Sequence, residues 1–417
     1  MQKLLIKGKK ELSGKISISG SKNATLPILA ASILAKHVTI KNIPLVKDIF
    51  TMVELLNFIG LKTKIIKKKN IIEIFNFDKK INTLAPYKLV KTMRAGVLVL
   101  GSLLSKYKKA KVSLPGGCAI GTRPVDLHLY ALKKFGANIK IKDGYIYATA
   151  LKGLIGTKIK FPIISVGATE NAILAAFGAK GKTELSNCAI EPEIIDLINF
   201  LNKLGGTIKI KKRKIFINGM PKTNKISYKV MFDRIELGTY IIAAAIIGKK
   251  ITFTKINPYI IKTELKILKS IGVKLIIKKN KIIVYRSKNI KNIKITTKPY
   301  PGFPTDLQAQ IMVLMLKASG TSKITENIFE NRFMHVPELR RMGARIITKN
   351  NIAFVKGPTN LSGAEVMATD LRASVSLVLA ALIAEKRTVI NRVYHLDRGY
   401  ENLEKKLKKC KASIDRI

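Results

Sequence analysis

The chain has no tryptophan, three cysteines, four histidines, and only 26 acidic residues against 77 lysines and arginines. Each scarcity excludes something. Cys118, Cys188 and Cys410 lie far apart and form no C-x-x-C pair, so neither a disulfide framework nor a structural zinc site is expected. His37, His128, His335 and His395 show no H-x-x-x-H or H-E-x-x-H spacing, so no catalytic metal and no cofactor are expected. No apolar run reaches the roughly 18 residues needed to span a bilayer, which argues against membrane insertion. The opening Met1-Gln2-Lys3-Leu4-Leu5-Ile6-Lys7 has no signal-peptide core before lysine returns, so the expected location is the cytoplasm.

Lysine is what the chain has in excess. A net charge of +51 invites a nucleic-acid reading. That reading requires clustered cations with exposed aromatics, whereas the lysines are dispersed along the whole length, in short runs such as Lys67-Lys68-Lys69 and Lys405-Lys406. Abundant lysine, isoleucine and asparagine fit the drift of an A- and T-rich genome on a tolerant surface. A basic nucleic-acid-binding protein is therefore a remote alternative, and no specific nucleic-acid partner is expected. The scarcer arginines are the better guide to anion binding, because their planar fork matches phosphate and carboxylate.

At 417 residues the chain exceeds one ordinary core, and two domains are expected. It also repeats itself. Gly60-Leu61-Lys62-Thr63-Lys64-Ile65 recurs as Gly136-Ala137-Asn138-Ile139, Gly205-Gly206-Thr207-Ile208, Gly272-Val273-Lys274-Leu275 and Gly343-Ala344-Arg345-Ile346, with a degraded sixth version at Cys410–Ile414. The period is about 70 residues, longer than usual solenoid repeats, so three units per compact domain are expected. Each unit begins with a small-residue helix, such as Asn23–Ala35, Ala168–Ala179, Leu237–Ile247 or Leu371–Ala384. A short β-branched strand follows, then an amphipathic helix such as Asp48–Ile59, Pro192–Leu204 or Tyr259–Ser270. The glycine C-cap then opens a hairpin, as in Thr207–Ile210 with Lys214–Ile217. The pattern is βαβαββ. Small residues on every face place the first helices in the interior, and lysine-striped second helices outside.

Several interior helices begin with polar residues. These are Ser19-Gly20-Ser21-Lys22-Asn23, Lys91-Thr92-Met93-Arg94, Ser165-Val166-Gly167-Ala168-Thr169, Asp233-Arg234, Pro304-Thr305-Asp306 and Thr369-Asp370-Leu371-Arg372. Ser, Thr and Asp there read first as caps. Lys22, Arg94, Arg234 and Arg372, however, sit in first turns, where a cation opposes the helix dipole and calls for an anion. Asp306 reads as a cap that partial burial could also make a base. Arg332 and Arg398, after short strands, read by themselves as surface ion-pair formers. The loop Leu114-Pro115-Gly116-Gly117-Cys118-Ala119-Ile120-Gly121-Thr122-Arg123-Pro124 places one thiol among glycines and prolines, five residues before an arginine. That composition suits a lid carrying a reactive group over a small anion.

With these motifs the chain, from about Leu4 onward, resembles the enolpyruvyl transferases, specifically the UDP-N-acetylglucosamine 1-carboxyvinyltransferase family. The resemblance rests on Gly20-Ser21-Lys22-Asn23, the Pro115–His128 loop, Ser165–Thr169, Phe303-Pro304-Thr305-Asp306, Phe329-Glu330-Asn331-Arg332-Phe333, Met367–Arg372 and Asp397-Arg398-Gly399-Tyr400-Glu401. It implies an α/β fold of two inside-out α/β barrel domains, each of three βαβαββ repeats. The implied division is 22–230, with Cys118, against 1–21 plus 231–417, with Asp306, Arg332, Arg372 and Arg398.

The implied substrates are phosphoenolpyruvate and UDP-N-acetylglucosamine, joined in the first committed step of peptidoglycan synthesis. By resemblance, Cys118 donates a proton, can form a covalent adduct with phosphoenolpyruvate and is the residue fosfomycin alkylates; Asp306 is the base. Lys22, Arg123 and Arg398 hold phosphoenolpyruvate, with Arg332 and Arg372 supplementing them, and Asn23 contacts the reacting centre. Arg94, Arg123, Pro124, Val125, Asp126, Leu127, Ile163, Ile164, Ser165, Val166, Gly167, Asp306, Ile328 and Asp370 complete the implied substrate contacts. Ile163 departs from the family, where many members carry a lysine. The sister transferase acting on shikimate 3-phosphate is the nearer alternative, and it lacks the cysteine-bearing loop.

Overall fold

The computed structural model describes residues 2–116, 124–220 and 225–417. Cys118 and Arg123 lie outside the described residues. The chain divides into two compact units, one of residues 20–116, 124–220 and 225–231, the other of residues 2–19 and 232–417.

Among the described residues there are six sheets, three in each unit. They share one plan. A strand from the preceding repeat pairs in parallel with the repeat's first strand, which pairs antiparallel with the second arm of a hairpin. In the first unit Ile226–Lys229 lies parallel to His37–Lys41, whose other neighbour is Ile71–Phe75, itself paired with Lys62–Ile66. The same order joins Lys158–Lys160, Lys182–Ser186, Lys214–Asn218 and Thr207–Lys211. In the second unit the last sheet is completed by the start of the chain. Leu4–Lys7 sits between Arg387–Asn391 and Ser413–Arg416, antiparallel to both.

Seven helices position the candidate site: α1 (Lys22–Ala31), α2 (Val99–Tyr107), α3 (Asp126–Lys134), α4 (Val166–Phe177), α5 (Arg234–Ile247), α6 (Gln308–Met315) and α7 (Leu371–Ile383). All except α3 are buried on most sides, and all but α3 and α6 are rich in small residues: in α5 and α6 every residue is buried, and in α4 every residue from Ala168 to Phe177. Strands such as Lys214–Asn218 instead alternate exposed and buried side chains. The helices thus fill the interior and the sheets face outward, as the alternation dictates. Alanine, serine and glycine let helices approach closely, while each fully buried leucine or isoleucine contributes about 1.5–3 kcal/mol. No helix among the described residues is long and apolar enough to cross a membrane.

Helix ends depart from the expected spans for local reasons. The first helix stops at Ala31 and tightens into a 3₁₀ turn, where the Ser32 hydroxyl donates to Leu29 O at 2.6 Å. Arg94 opens a 3₁₀ turn, Arg94–Leu98, that runs into α2. The Tyr259–Ser270 helix begins as a 3₁₀ turn at Pro258, where the Asn257 side chain accepts from Tyr259 N. There proline fixes φ and the amide cap closes a tighter turn.

Candidate active site

In the first unit the site residues cluster at helix starts. Ser21 caps α1, its side chain accepting from Ala24 N at 3.2 Å, and Lys22 is the first helical residue. The lysine is buried, and Nζ donates to Asp48 Oδ2 at 3.1 Å. Asp48 comes from the first turn of the outer helix Lys47–Ile59, where an acid also suits the dipole. Asn23 follows, half-buried. Sequence reading took Asp48 only as the start of a helix. An acidic first turn was the one signal for it.

Arg94, at the start of its 3₁₀ turn, donates from Nη2 to Pro124 O at 3.2 Å. That bond ties the start of the second repeat to the chain leading out of the cysteine loop. Beyond it, Val125 is buried, Leu127 half-buried, and Pro124 and Asp126 exposed. Ser165 caps α4, accepting from Ala168 N at 3.3 Å, so capping is one of its roles. Val166 and Ile163 are exposed, Ile163 by 65%, with Ile164 and Gly167 half-buried beside them.

Buried beneath these starts, His128 accepts at Nδ1 from Asn171 Nδ2 at 3.0 Å. Burial, and secondarily the Arg94 charge, depress its pKa to about 3. The folded protein therefore holds a neutral imidazole, whereas the unfolded chain takes up a proton below about pH 6.5. This contribution to stability is complete above pH 6.5 and is lost as pH falls toward 3, at roughly 1.4 kcal/mol per unit. Urea unfolding at pH 7 and pH 5 should show a loss of about 2 kcal/mol that shrinks in His128→Gln. An unchanged loss in that variant would assign the acid sensitivity elsewhere.

In the second unit Asp306, Arg332, Asp370 and Arg372 come together. Arg332 Nη2 donates to Asp306 Oδ1 at 2.8 Å and Arg372 Nε to Asp306 Oδ2 at 3.4 Å. Both arginines are buried, with side chains 4% and 3% exposed, while Asp306 keeps a quarter of its side chain accessible. Asp370 caps α7, accepting from Arg372 N and Ala373 N, and lies 3.9 Å from Arg332 Nη1. Burial pulls the Arg372 pKa down, but Tyr400, Asp306 and Asp233 outweigh that and raise it above the usual arginine value. The Tyr400 ring lies 5.3 Å from its centre. Gln310 in α6 donates to Asp306 O at 2.9 Å, to Thr239 Oγ1 at 3.1 Å and to Tyr400 OH at 3.3 Å, which lashes the turn bearing Asp306 to α5. Sequence reading missed Gln310 and Thr239, since buried amides leave no mark in periodicity.

Two expectations are corrected here. Arg332 is not a surface ion-pair former but a buried partner of Asp306. The helix start at Thr305–Leu307 has no side-chain cap, so Asp306 pairs with arginines instead of capping. Ile328 and Arg398 are half-buried, and His395 experiences the charges of both Arg398 and Asp370.

Cys188 and Cys410 are buried free thiols, and burial pushes Cys188 up to about 12 and raises Cys410. Neither supplies thiolate at working pH. Alkylation of the native protein at pH 8 should therefore leave Cys188 and Cys410 unlabelled, by peptide mass mapping. Labelling of Cys188 without denaturant would contradict this.

Residues 6–407 match the family described as EPSP synthase (3-phosphoshikimate 1-carboxyvinyltransferase). A UDP-N-acetylglucosamine 1-carboxyvinyltransferase of Pelagibacter ubique is 59% identical over the whole of both chains, and one of Rickettsia akari 53% identical over the whole of both. Among solved structures, the enolpyruvyl transferase NikO of Streptomyces tendae superposes with a TM-score of 0.90 at 24% identity, covering 100% of this chain and 99% of its own. An EPSP synthase of Acinetobacter baumannii does so with 0.77 at 18% identity, over the full length of both. These two likenesses establish the fold, two inside-out α/β barrels.

Proposed function

The chain belongs to the UDP-N-acetylglucosamine 1-carboxyvinyltransferase family of enolpyruvyl transferases, and from that premise we propose how its own residues carry the reaction. The enzyme transfers the enolpyruvyl group of phosphoenolpyruvate to the 3′-hydroxyl of UDP-N-acetylglucosamine and releases phosphate. Addition comes first: the hydroxyl oxygen bonds to C2 as C3 gains a proton. Elimination follows: C3 loses a proton as the C2–O bond to phosphate breaks.

One observation carries the assignment of residues: a partly accessible carboxylate, Asp306, held between two buried arginines. Its accessible carboxylate is placed to accept the hydroxyl proton as the C–O bond forms. The closer arginine holds Oδ1, while the longer contact leaves Oδ2 the freer oxygen. Arg332, Arg372, Arg398, Lys22 and Arg123 bring positive charge to a substrate with both carboxylate and phosphate, and stabilise the anionic intermediate. Asp48 and Asp306 keep Lys22 and the two arginines oriented before substrate arrives. Cys118 supplies the proton to C3. Arg123 nearby in sequence favours thiolate, and bound anionic substrate restores the thiol. Arg94, Pro124–Leu127, Ile163–Gly167, Ile328 and Asp370 contact the nucleotide sugar. Ile163, exposed and apolar, gives the nucleotide phosphates no charge where relatives often place lysine. Location in the cytoplasm, where both substrates would be at hand, and a place in cell-wall synthesis belong to the same reading.

The test mixes purified protein with both substrates and follows phosphate release. Release requires both, and stops with Cys118→Ser or after fosfomycin. Release with shikimate 3-phosphate in place of the nucleotide sugar would favour the sister reaction, and undiminished turnover in Cys118→Ser would remove Cys118 from the mechanism.

A further inference from the structure

Asn171 sits in the second turn of α4, fully buried, with both polar atoms of its amide bonded to other parts of the chain. Oδ1 accepts from Gly101 N at 2.7 Å, in α2. Nδ2 donates to Val97 O at 3.2 Å, in the 3₁₀ turn that Arg94 opens, and to His128 Nδ1 at 3.0 Å, in the first turn of α3. The Gly101 amide fixes which end of the side chain is oxygen. The nitrogen therefore faces His128, whose Nδ1 is the acceptor and whose ring proton is on Nε2. Glycine makes both approaches possible. A Cβ at Gly101 would lie 2.3 Å from Asn171 Oδ1, and one at Gly167 would meet the His128 ring at 3.1 Å.

We propose that Asn171 is a positioning residue for the nucleotide-sugar subsite, fixing Arg94, the Pro124–Leu127 segment and the Ser165–Gly167 helix start in one geometry. The inference rests on the reading of those three pieces as nucleotide-sugar contacts. Each adjoins one arm of the amide: Val97 is three residues from Arg94, His128 follows Leu127 directly, and α4 itself begins at Val166. The buried imidazole serves as a neutral spacer, its charge opposed by burial and by Arg94, the charged group facing it. A side chain that merely filled space would not need three partners on two separate stretches of chain. Leaving any of these buried groups unpaired is unfavourable, so the pieces hold together or shift together.

Asn171→Asp keeps the acceptor for Gly101 but turns both donors into acceptors. A carboxylate then faces Val97 O, and His128 can meet it only by moving its proton to Nδ1. Asn171→Ser, which removes the whole amide without adding charge and leaves a hydroxyl too short to span the same partners, is the companion variant. The expected result is a KM for UDP-N-acetylglucosamine raised about tenfold or more, since displacements near 1 Å have such effects. The KM for phosphoenolpyruvate should change far less, and kcat at saturating substrate should fall little. Simple loss of folded protein would do the reverse, lowering kcat and leaving KM unchanged. Hydrogen exchange over residues 124–130 is the readout independent of activity, and should speed up in both variants. An unchanged KM for the nucleotide sugar in an active variant, or unchanged exchange in that segment, overturns the proposal. If the wild type proves inactive on these substrates the functional reading fails, and exchange alone then decides whether Asn171 fixes the segment.

Discussion

Asp306→Asn should lose turnover by roughly 10²- to 10⁴-fold, the range a positioned general base contributes, while binding phosphoenolpyruvate as tightly as the wild type or more tightly. The two halves follow from one cluster. The amide cannot take the hydroxyl proton, so addition loses its base. The same change removes a negative charge from between two buried guanidiniums, Arg332 at 2.8 Å and Arg372 at 3.4 Å. Cations without their resident anion attract an incoming one more strongly. Single-turnover phosphate release and calorimetric binding measure the two quantities separately. Loss of phosphoenolpyruvate affinity in step with turnover would show that Asp306 organises the arginines instead of acting as the base.

Lys22→Ala should fail differently. Its ammonium is paired at 3.1 Å with Asp48, and both side chains are nearly inaccessible, 11% and 7% exposed. Removing one member of such a pair leaves the other charge buried and costs about 3–5 kcal/mol. The loss of a phosphate-binding cation should also lower kcat/KM for phosphoenolpyruvate by about 100-fold, close to 3 kcal/mol of transition-state binding. The two effects separate in the double variant Lys22→Met with Asp48→Leu. Replacing both charges by apolar groups of similar volume is close to neutral for stability, so urea unfolding should recover while catalysis does not. Recovery of catalysis in the double variant would mean that Lys22 serves folding alone.

The sequence made the repeat legible because it is written in two signals that local physics reads directly. Small residues on all faces marked helices such as Ala168–Phe177 as interior, and glycine after a lysine-striped helix marked each hairpin start. Helix ends were less legible, since the 3₁₀ turns at Ser32 and Pro258 depend on single side-chain bonds. The charged motifs pointed to Lys22, Arg94, Asp306 and Arg372 because a cation or acid at a helix start is conspicuous. Their partners were not conspicuous. Asp48 lies 26 residues from Lys22, and Asn171 lies 43 residues from His128 and 70 from Gly101. The first pair forms when two helices of one repeat pack and the others when separate repeats do, and no short window of sequence holds both members. Arg332 was misjudged for a related reason: outside regular elements there is no periodicity from which burial can be read.

The pairing of Leu4–Lys7 with Arg387–Asn391 and Ser413–Arg416 has a consequence for biogenesis. On the ribosome this strand is made long before either of its neighbours, which lie hundreds of residues further along the chain. Until then its apolar residues Leu4 and Ile6, fully buried in the finished fold, stay without their destination. The first unit lacks this dependence, because His37–Lys41 and its partner Ile226–Lys229 are both complete much earlier. The nascent chain is thus built to mature in two stages, with one barrel able to close while the other still awaits Arg387–Asn391 and Ser413–Arg416.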